Sequence, residues 1–306
     1  MRKGTIISFV LLVAVIIGSA WYAHGHKVAV SSSSKKIQVV AAENFWGSLV
    51  SQIGGNKVNI LSIVTDPNAD PHEYESSAAD ARAVSTANYV IVNGVGYDDW
   101  ATKLLSASTN NKRVVLNVGN LVGKHEGDNP HLWYNPAYVN AAIAKMEQNL
   151  IAIDPSDKAY FQAQYKTLQH NLTPYQNRIA TIKKQFGGTK VASTESIFAY
   201  LANAAGLDLV SPPAFIDAVA EGNDPPTDSV VTFQQQLQDK EVKLLVYNEQ
   251  TVTPLTDSMK ALAAQENIPV IGVTETIQPP GTSFEVWMNA ELLDLENGLN
   301  ANALGQ

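Results

Sequence analysis

The chain contains no cysteine among its 306 residues. This absence excludes disulfide bonds, thiolate-based zinc sites, a thiol nucleophile and a lipid anchor attached through cysteine. Charged residues are also scarce, at 16%, and the 29 acidic residues outnumber the 21 basic ones, which gives a formal net charge of −8. Because a protein that binds nucleic acid needs a basic surface, no nucleic-acid partner is expected, and the acidic balance favours a cationic one.

Long apolar runs are absent except at the N-terminus. There, Arg2 and Lys3 precede an apolar segment that extends to about Ala23. A basic start followed by an apolar run predicts export, with residues 1–25 serving as either a cleaved signal peptide or a retained membrane anchor. The serine-rich residues 26–36 predict a flexible tether. Under both alternatives the rest of the chain lies outside the cytoplasm, in the periplasm or at the outer face of the cell membrane.

Short apolar runs alternate with amphipathic stretches from residue 37 onward. This alternation predicts an α/β fold with parallel sheets that helices cover on both faces. Four predicted strands precede a long helical segment and four follow it. The predicted strands are Ile37–Ala42, Val58–Val64, Tyr89–Asn93, Arg113–Val118, Lys190–Ser193, Leu207–Val210, Val242–Tyr247 and Ile268–Val273.

The long helical segment carries apolar residues from Phe161 to Phe186 at alternating spacings of four and three, which places them on one helical stripe. Pro174 lies inside this stripe and predicts a kink. The simplest architecture is two lobes, each a mainly parallel four-stranded sheet flanked by helices, joined by one long kinked helix. We expect an N-terminal lobe over 37–154, the linking helix over 155–187 and a C-terminal lobe over 188–306.

Two of the six histidines, His72 and His131, share one local setting: each follows a proline, shortly after a predicted strand. Because ligands of open α/β sheets bind beyond the carboxyl ends of the strands, both side chains are expected in the cleft. Taken singly, either residue could be an ordinary surface or capping histidine. His125 in a polar loop is a weaker candidate, and the others, His24, His26 and His170, are expected at the surface.

The second half of the chain offers two carboxylates at matching places. Glu195 follows one predicted strand, and Glu275 ends another. Glu195 also fits the alternative of a glutamate at a helix N-terminus, where the helix dipole favours it. Glu275 fits that alternative poorly, because Pro279-Pro280-Gly281 comes next. Two imidazoles and two carboxylates would form a site for a divalent transition metal, although position alone leaves this open.

At these residues the sequence resembles the metal-specific solute-binding proteins of ABC importers, the cluster that takes up zinc or manganese. The resemblance extends, in order, over nearly all of the chain from residue 37 to residue 299. The matching blocks are Asp70-Pro71-His72-Glu73-Tyr74-Glu75, then Ala87 to Gly94 with Trp100, then Asn129-Pro130-His131-Leu132-Trp133-Tyr134-Asn135-Pro136, and finally Thr194 to Leu201 with Gly206-Leu207.

The resemblance implies that His72, His131, Glu195 and Glu275 bind the transported metal ion in the cleft. It further implies a protein without catalytic activity that delivers the ion to the membrane permease of an ABC importer. No sequence feature supports a homo-oligomer, so a monomer is expected. Glu275 stands where aspartate is commoner in the family, which puts direct ligation by this residue in question. The choice between Zn²⁺ and Mn²⁺ stays open, because imidazoles suit zinc and carboxylates suit harder ions.

Two other functions compete with metal transport. A metal-dependent hydrolase could use the same ligands, with water in an open coordination position if Glu275 does not bind the metal. The sequence contains no HExxH, GxSxG or P-loop motif, so the usual signatures of metallopeptidases, serine hydrolases and NTPases are missing. A surface adhesin on the same fold is the other alternative.

Overall fold

Two parallel four-stranded sheets form the framework of the protein. The computed structural model describes residues 36–68 and 71–303, so the predicted signal or anchor segment and nearly all of the predicted tether lie outside the described residues. The strand order in the first sheet is β2 (Val58–Val64), β1 (Ile37–Glu43), β3 (Tyr89–Val92) and β4 (Val114–Asn117). In the second sheet it is β6 (Asp208–Leu209), β5 (Lys190–Ser193), β7 (Leu245–Asn248) and β8 (Val270–Val273), and all neighbouring strands run parallel. The predicted α/β class with two four-stranded lobes is therefore confirmed.

Each strand lies where the apolar runs of the sequence predict one. The tetrapeptide of β3 is buried throughout, as expected for a strand covered by helices on both faces. The strands are β1 (Ile37–Glu43), β2 (Val58–Val64), β3 (Tyr89–Val92), β4 (Val114–Asn117), β5 (Lys190–Ser193), β6 (Asp208–Leu209), β7 (Leu245–Asn248) and β8 (Val270–Val273).

Helices flank both sheets, and several begin at residues that cap them. Ser77 and Asp80 form a reciprocal capping box at the start of α2 (Ala78–Thr86), and the Asn135 side chain accepts backbone N–H bonds at the start of α5 (Pro136–Ile153). The helices of the described residues are α1 (Asn44–Gly54), α2 (Ala78–Thr86), α3 (Asp99–Ala107), α4 (Val118–Leu121), α5 (Pro136–Ile153), α6 (Lys158–Asn171), α7 (Thr173–Phe186), α8 (Ala199–Ala204), α9 (Pro213–Ala220), α10 (Thr227–Gln238), α11 (Pro254–Gln265) and α12 (Phe284–Ala303).

The predicted long helix is present and divided into α6 and α7. The division falls at Leu172, and Pro174 occupies the first turn of α7, where its missing N–H does no harm. The α6 half packs on α1 and α5, whereas the α7 half packs on α12. In that second contact, Arg178 Nη1 lies 2.6 Å from Glu296 Oε2. The bend predicted from Pro174 is confirmed.

A layer of aromatic rings continues from the first lobe to the C-terminal helix. Phe45 stacks on Trp133 with 4.1 Å between ring centroids, and Tyr134 meets Trp287 edge to face at 6.2 Å. All four rings are buried within one apolar cluster. This layer gives the loops that follow the strands a rigid base. Within the described part of the chain, no helix combines the length and the apolar character needed to cross a membrane.

Candidate metal centre

The four predicted ligands come together beyond the carboxyl ends of the strands. His72 lies in a 3-10 turn after β2, and His131 immediately precedes another one after β4. Glu195 lies two positions after the last residue of β5, and Glu275 lies two positions after the last residue of β8. One ligand atom of each residue lies within 4.8 Å of the others. Two nitrogen donors therefore come from the first lobe and two oxygen donors from the second.

The cluster is shielded from solvent on most of its surface. The residues His131, Glu195 and Glu275 have 0% exposure, whereas the His72 side chain is 24% exposed. His72 also lines a cavity of about 220 Å³, together with Tyr97, Asp217 and Glu221. Asp128 lines the same cavity, so a cation can approach the buried donors from the His72 side, past three acidic residues.

Hydrogen bonds fix the tautomer of His131. Asn129 Nδ2 donates to the Ser196 carbonyl oxygen over 2.7 Å, which sets the orientation of the Asn129 amide. Asn129 Oδ1 then faces His131, 2.9 Å from its backbone nitrogen and 2.9 Å from Nδ1. Because an amide oxygen only accepts, Nδ1 carries the hydrogen and Nε2 carries the lone pair. A metal-binding histidine is typically oriented in this way, by a hydrogen bond from its other ring nitrogen to an oxygen acceptor.

The lone pair of His131 faces a carboxylate oxygen. His131 Nε2 lies 3.2 Å from Glu195 Oε1 and forms no hydrogen bond. Burial, and next the proximity of His72, hold the pKa of His131 well below its usual range, so the ring is neutral. A second nitrogen–oxygen pair, His72 Nε2 and Glu275 Oε2, is separated by 3.5 Å. Two imidazoles and two carboxylates facing one another in this way fit a divalent transition metal between them.

The alternative of a helix-capping role for Glu195 has no support in the geometry. A 3-10 turn, Ser196–Phe198, follows this residue, and its side chain makes no capping hydrogen bond there. The backbone at Glu275 is held by a hydrogen-bonded side chain. Gln250 Oε1 accepts the N–H groups of Glu275, over 2.8 Å, and of Thr276, over 2.9 Å. Both glutamates therefore direct their carboxylates into the cluster.

Two further residues of the site were not predicted from the sequence. Asn248, the last residue of β7, donates through Nδ2 to Glu195 Oε2 and, over 2.6 Å, to Glu275 Oε1. Tyr97, in the loop after β3, donates its hydroxyl to Glu275 Oε2 over 2.6 Å. Asn248 ends one strand and Tyr97 follows another, on the side of the sheets where the predicted ligands lie, and this position is the one signal that marks them in the sequence.

A second layer of buried carboxyl groups lies behind the ligands. Burial raises the pKa of Glu291 to about 7, although Tyr134 and Thr274 offset part of that rise. Burial also raises the pKa of Asp98 to about 6. The pKa of Glu43 is raised well above its usual range, by burial first and by the nearby Asp98 second. These three acids retain protons more readily than exposed carboxylates do.

The remaining histidines do not join the cluster. His170 is exposed, as predicted, and His125, the weaker ligand candidate, is exposed as well; neither belongs to the group of potential metal ligands found among the described residues. His24 and His26 lie outside the described residues. As metal ligands, His72, His131, Glu195 and Glu275 remain a prediction that this geometry supports.

The known proteins that this chain resembles are also metal-binding proteins. The manganese ABC transporter substrate-binding lipoprotein PsaA of Streptococcus anginosus is 27% identical to this chain, over 98% of this chain and 100% of its own length. The solved structure of the solute-binding protein FpvC from Pseudomonas aeruginosa in complex with Mn²⁺ aligns with a TM-score of 0.72 at 18% identity, covering 87% of this chain and 99% of its own.

A cadmium-bound periplasmic metal-binding protein from Candidatus Liberibacter asiaticus aligns with a TM-score of 0.70 at 17% identity, over 87% of this chain and 100% of its own. At these identities the two structural alignments establish a shared fold. The family model for the zinc-uptake complex component A, periplasmic (ZnuA), matches residues 39–298, which is most of the chain. The chain therefore belongs to the ZnuA family of periplasmic zinc-uptake components.

Proposed function

We propose that this protein captures one divalent transition-metal ion, zinc or manganese, between its lobes and delivers it to the permease of an ABC importer. One observation carries the proposal: four potential ligand atoms from two lobes lie within 4.8 Å of one another, and three of the four residues are fully buried. Membership of an uptake family and the metal-transporter names of the relatives support the same function. The protein acts outside the cytoplasm, as a monomer.

Capture fits the ligand set better than catalysis does. A catalytic zinc site typically has three protein ligands and one open position for water, whereas closed sites use four. Here there are four candidate ligands, His72, His131, Glu195 and Glu275. The set includes Glu275, which the hydrolase alternative would leave unbound to the metal. No specific observation favours the hydrolase or the adhesin alternative.

Metal binding is tested with the full chain, stripped of metal by a chelator and titrated with Zn²⁺ and Mn²⁺ in native mass spectrometry. We expect one ion per chain, and a loss or strong weakening of binding in His131→Ala and Glu275→Gln. His125→Ala and Glu126→Gln are matched controls, because both residues are exposed and lie outside the candidate group. A wild-type chain without stoichiometric metal would contradict the proposed function.

Delivery requires a second experiment in cells. Uptake of radioactive zinc or manganese is measured in a strain that lacks this protein, and then in the same strain complemented with the wild type or Glu275→Gln. We expect the wild type to restore uptake and the variant to fail. Full uptake with the variant would show that the proposed site does not supply the permease.

A further inference from the structure

Asn248 connects the two candidate carboxylate ligands. It is 1% exposed at the end of β7, and its Nδ2 donates to Glu195 Oε2 and to Glu275 Oε1. Thr251 Oγ1 lies 3.0 Å from the same nitrogen, but the NH₂ group has two hydrogens, which serve the two carboxylates. One amide group thus holds an oxygen of each carboxylate.

The amide of Asn248 has its orientation fixed from the other side. Its Oδ1 accepts the backbone N–H of Gln250 over 3.0 Å. Because a backbone N–H is a donor only, the carbonyl end of the amide must face Gln250 and the NH₂ end must face the carboxylates. A rotation of the amide would place its oxygen against two carboxylates and leave the buried N–H without an acceptor.

Each carboxylate therefore has two oxygens with different partners. Glu195 Oε2 accepts from Asn248, while Glu195 Oε1 faces His131 Nε2 at 3.2 Å. Glu275 Oε1 accepts from Asn248, while Glu275 Oε2 faces His72 Nε2 at 3.5 Å and also accepts from the Tyr97 hydroxyl over 2.6 Å. The division is the same in both: one oxygen is turned toward a histidine and the other toward the amide.

This division limits the number of donors that a metal ion can recruit. Each carboxylate oxygen has two lone-pair sites, so Asn248 does not block the oxygen it holds, but turning that oxygen toward an ion beside the histidines would strain or break this buried hydrogen bond. With one oxygen from each carboxylate and one nitrogen from each histidine, the site offers four donors. Zinc prefers four donors in a tetrahedron, whereas manganese is typically bound by more oxygens in an octahedral arrangement.

We infer that Asn248 is a specificity-determining residue, which restricts Glu195 and Glu275 to one oxygen each and so directs the site toward zinc over manganese. The inference rests on the proposed function and refines it. Zinc binds more tightly than manganese to almost any site of nitrogen and oxygen donors, so the affinity ratio of the wild type alone is not diagnostic. The diagnostic quantity is the change in that ratio when the Asn248 amide is removed.

The experiment compares the full-length wild type with Asn248→Ala, using Co²⁺, Zn²⁺ and Mn²⁺ as probes. Cobalt reports coordination number, because tetrahedral Co²⁺ absorbs visible light intensely and higher-coordinate Co²⁺ absorbs weakly. We expect an intense spectrum in the wild type and a weaker one in Asn248→Ala. The ratio of the manganese to the zinc dissociation constant, measured by chelator competition, should fall at least tenfold in the variant.

Asn149→Ala is the matched control. Asn149 is also a buried asparagine, 7% exposed, and its Nδ2 donates to the Tyr89 hydroxyl in the first lobe. Truncation there removes a comparable hydrogen bond away from the ligands, so the affinity ratio and the cobalt spectrum should match those of the wild type. An equal fall of the ratio in both variants would overturn the role of Asn248.

The possible failures are distinguishable. A wild-type chain that binds no metal overturns the proposed function itself. A wild type that binds one cobalt ion with a weak spectrum overturns the inference alone, and this measurement needs no variant, so it stands even when Asn248→Ala does not fold. An unchanged affinity ratio in a folded Asn248→Ala, or in the milder Asn248→Ser, also overturns the inference and leaves metal transport intact.

Discussion

Tyr97 of the first lobe donates its hydroxyl to Glu275 Oε2 of the second over 2.6 Å. The Tyr97 ring also contacts His72 edge to face, with 4.7 Å between ring centroids. A single tyrosine therefore positions one candidate ligand from each lobe. Hydrogen bonds to charged groups in proteins contribute about 1.5–3 kcal/mol, and this one joins the lobes at the candidate metal centre.

The variant Tyr97→Phe removes that hydrogen bond and keeps the ring. We expect the affinity for zinc to fall roughly 10- to 100-fold, which is the usual effect of losing an outer-shell partner of a metal ligand. The measurement is competition with a chelator of known affinity. Tyr74→Phe is the matched control, because Tyr74 also donates to a carboxylate, Asp80, outside the candidate ligand group. Equal affinities in the two variants would refute the positioning role.

Hydrogen-bond geometry indicates that Glu291 carries a proton. The Tyr134 hydroxyl has a single hydrogen, yet its oxygen lies 2.8 Å from the Thr274 carbonyl oxygen and 2.7 Å from Glu291 Oε2. When Glu291 is protonated, it donates to Tyr134, and Tyr134 donates to Thr274. When it is ionised, one of the two oxygen–oxygen contacts has no hydrogen. The rise of the Glu291 pKa to about 7 agrees with this count.

The protonation of Glu291 predicts how stability depends on pH. Its folded-state pKa is about 7, raised from the ordinary 4.5, so the folded chain holds more protons than the unfolded chain between these values. Stability should therefore fall as the pH rises from 4.5 to about 7, and it should stay lower above that. At about 1.4 kcal/mol per pKa unit, this carboxyl lowers the free energy of unfolding by roughly 3 kcal/mol at pH 8.

The variant Glu291→Gln should lose this pH dependence, since the glutamine amide donates to Tyr134 at every pH. Between pH 5 and pH 8 we expect the wild type to lose about 2–3 kcal/mol more stability than the variant. Urea unfolding followed by tryptophan fluorescence at both pH values measures the difference. Asp98 and Glu43 titrate in both proteins, so their contributions cancel. Parallel pH profiles for the two proteins would contradict the prediction.

Two glycines in the loop after β3 have similar backbone angles but different surroundings, so a substitution at one serves as the control for the other. Gly94 has φ of +78° and Gly96 has φ of +82°, so alanine is strained at both. A Cβ atom on Gly94 would lie 2.4 Å from Asn117 Oδ1, whereas nothing lies within 4 Å of one on Gly96. The Asn117 side chain cannot move without losing its bond to the Asn120 N–H, which caps α4.

We expect Gly96→Ala to lower the free energy of unfolding by about 1–2 kcal/mol, the cost of the left-handed backbone alone. Gly94→Ala should cost about 1–3 kcal/mol more, because of the added steric conflict. Chemical denaturation of both variants measures this difference. Equal losses would show that Asn117 adapts without penalty.

We expect the helix contacts between the lobes to limit the motion of one lobe relative to the other. The start of α12 is tied to α1, because the Phe284 N–H donates to Ser48 Oγ over 3.0 Å and Gln52 Nε2 donates to Glu285 Oε2 over 2.9 Å. Farther along, α12 is tied to α7 through Arg178. Metal binding should therefore change the radius of gyration by less than about 1 Å, as in small shear motions. X-ray scattering with and without metal tests this, and a contraction of several ångströms would contradict it.

Much of the fold could be predicted from the sequence because it depends on local patterns. Each predicted strand overlaps an observed one, and Pro174 marked the bend in the long helix. The helix Pro213–Ala220 was not expected, because Ser211-Pro212-Pro213 has the composition of a loop, although proline is favoured in a first helical turn. The strand expected at Leu207–Val210 is shorter, at Asp208–Leu209, since it lies at the sheet edge.

The site was predictable only in part. The candidate ligands carried two signals, their residue type and their place after a strand, and the family resemblance added a third. Asn248 and Tyr97 have no such chemistry as isolated residues. Their importance arises from hydrogen bonds that span 27 residues in one case and 178 in the other, and a contact of this kind depends on the assembled fold.

The origin of the donors, nitrogens from one lobe and oxygens from the other, has a consequence for release of the ion. Each lobe alone would bind the proposed metal ion weakly, through two donor atoms. The full affinity exists only while the two lobes are aligned. Once one lobe holds the ion, the two donors of the other lobe bind it intramolecularly. Their contribution to the affinity depends on their effective concentration at the ion, and it disappears when the lobes separate. A permease that tilts one lobe slightly thus divides one strong chelate into two weak ones, without protonating or replacing any ligand.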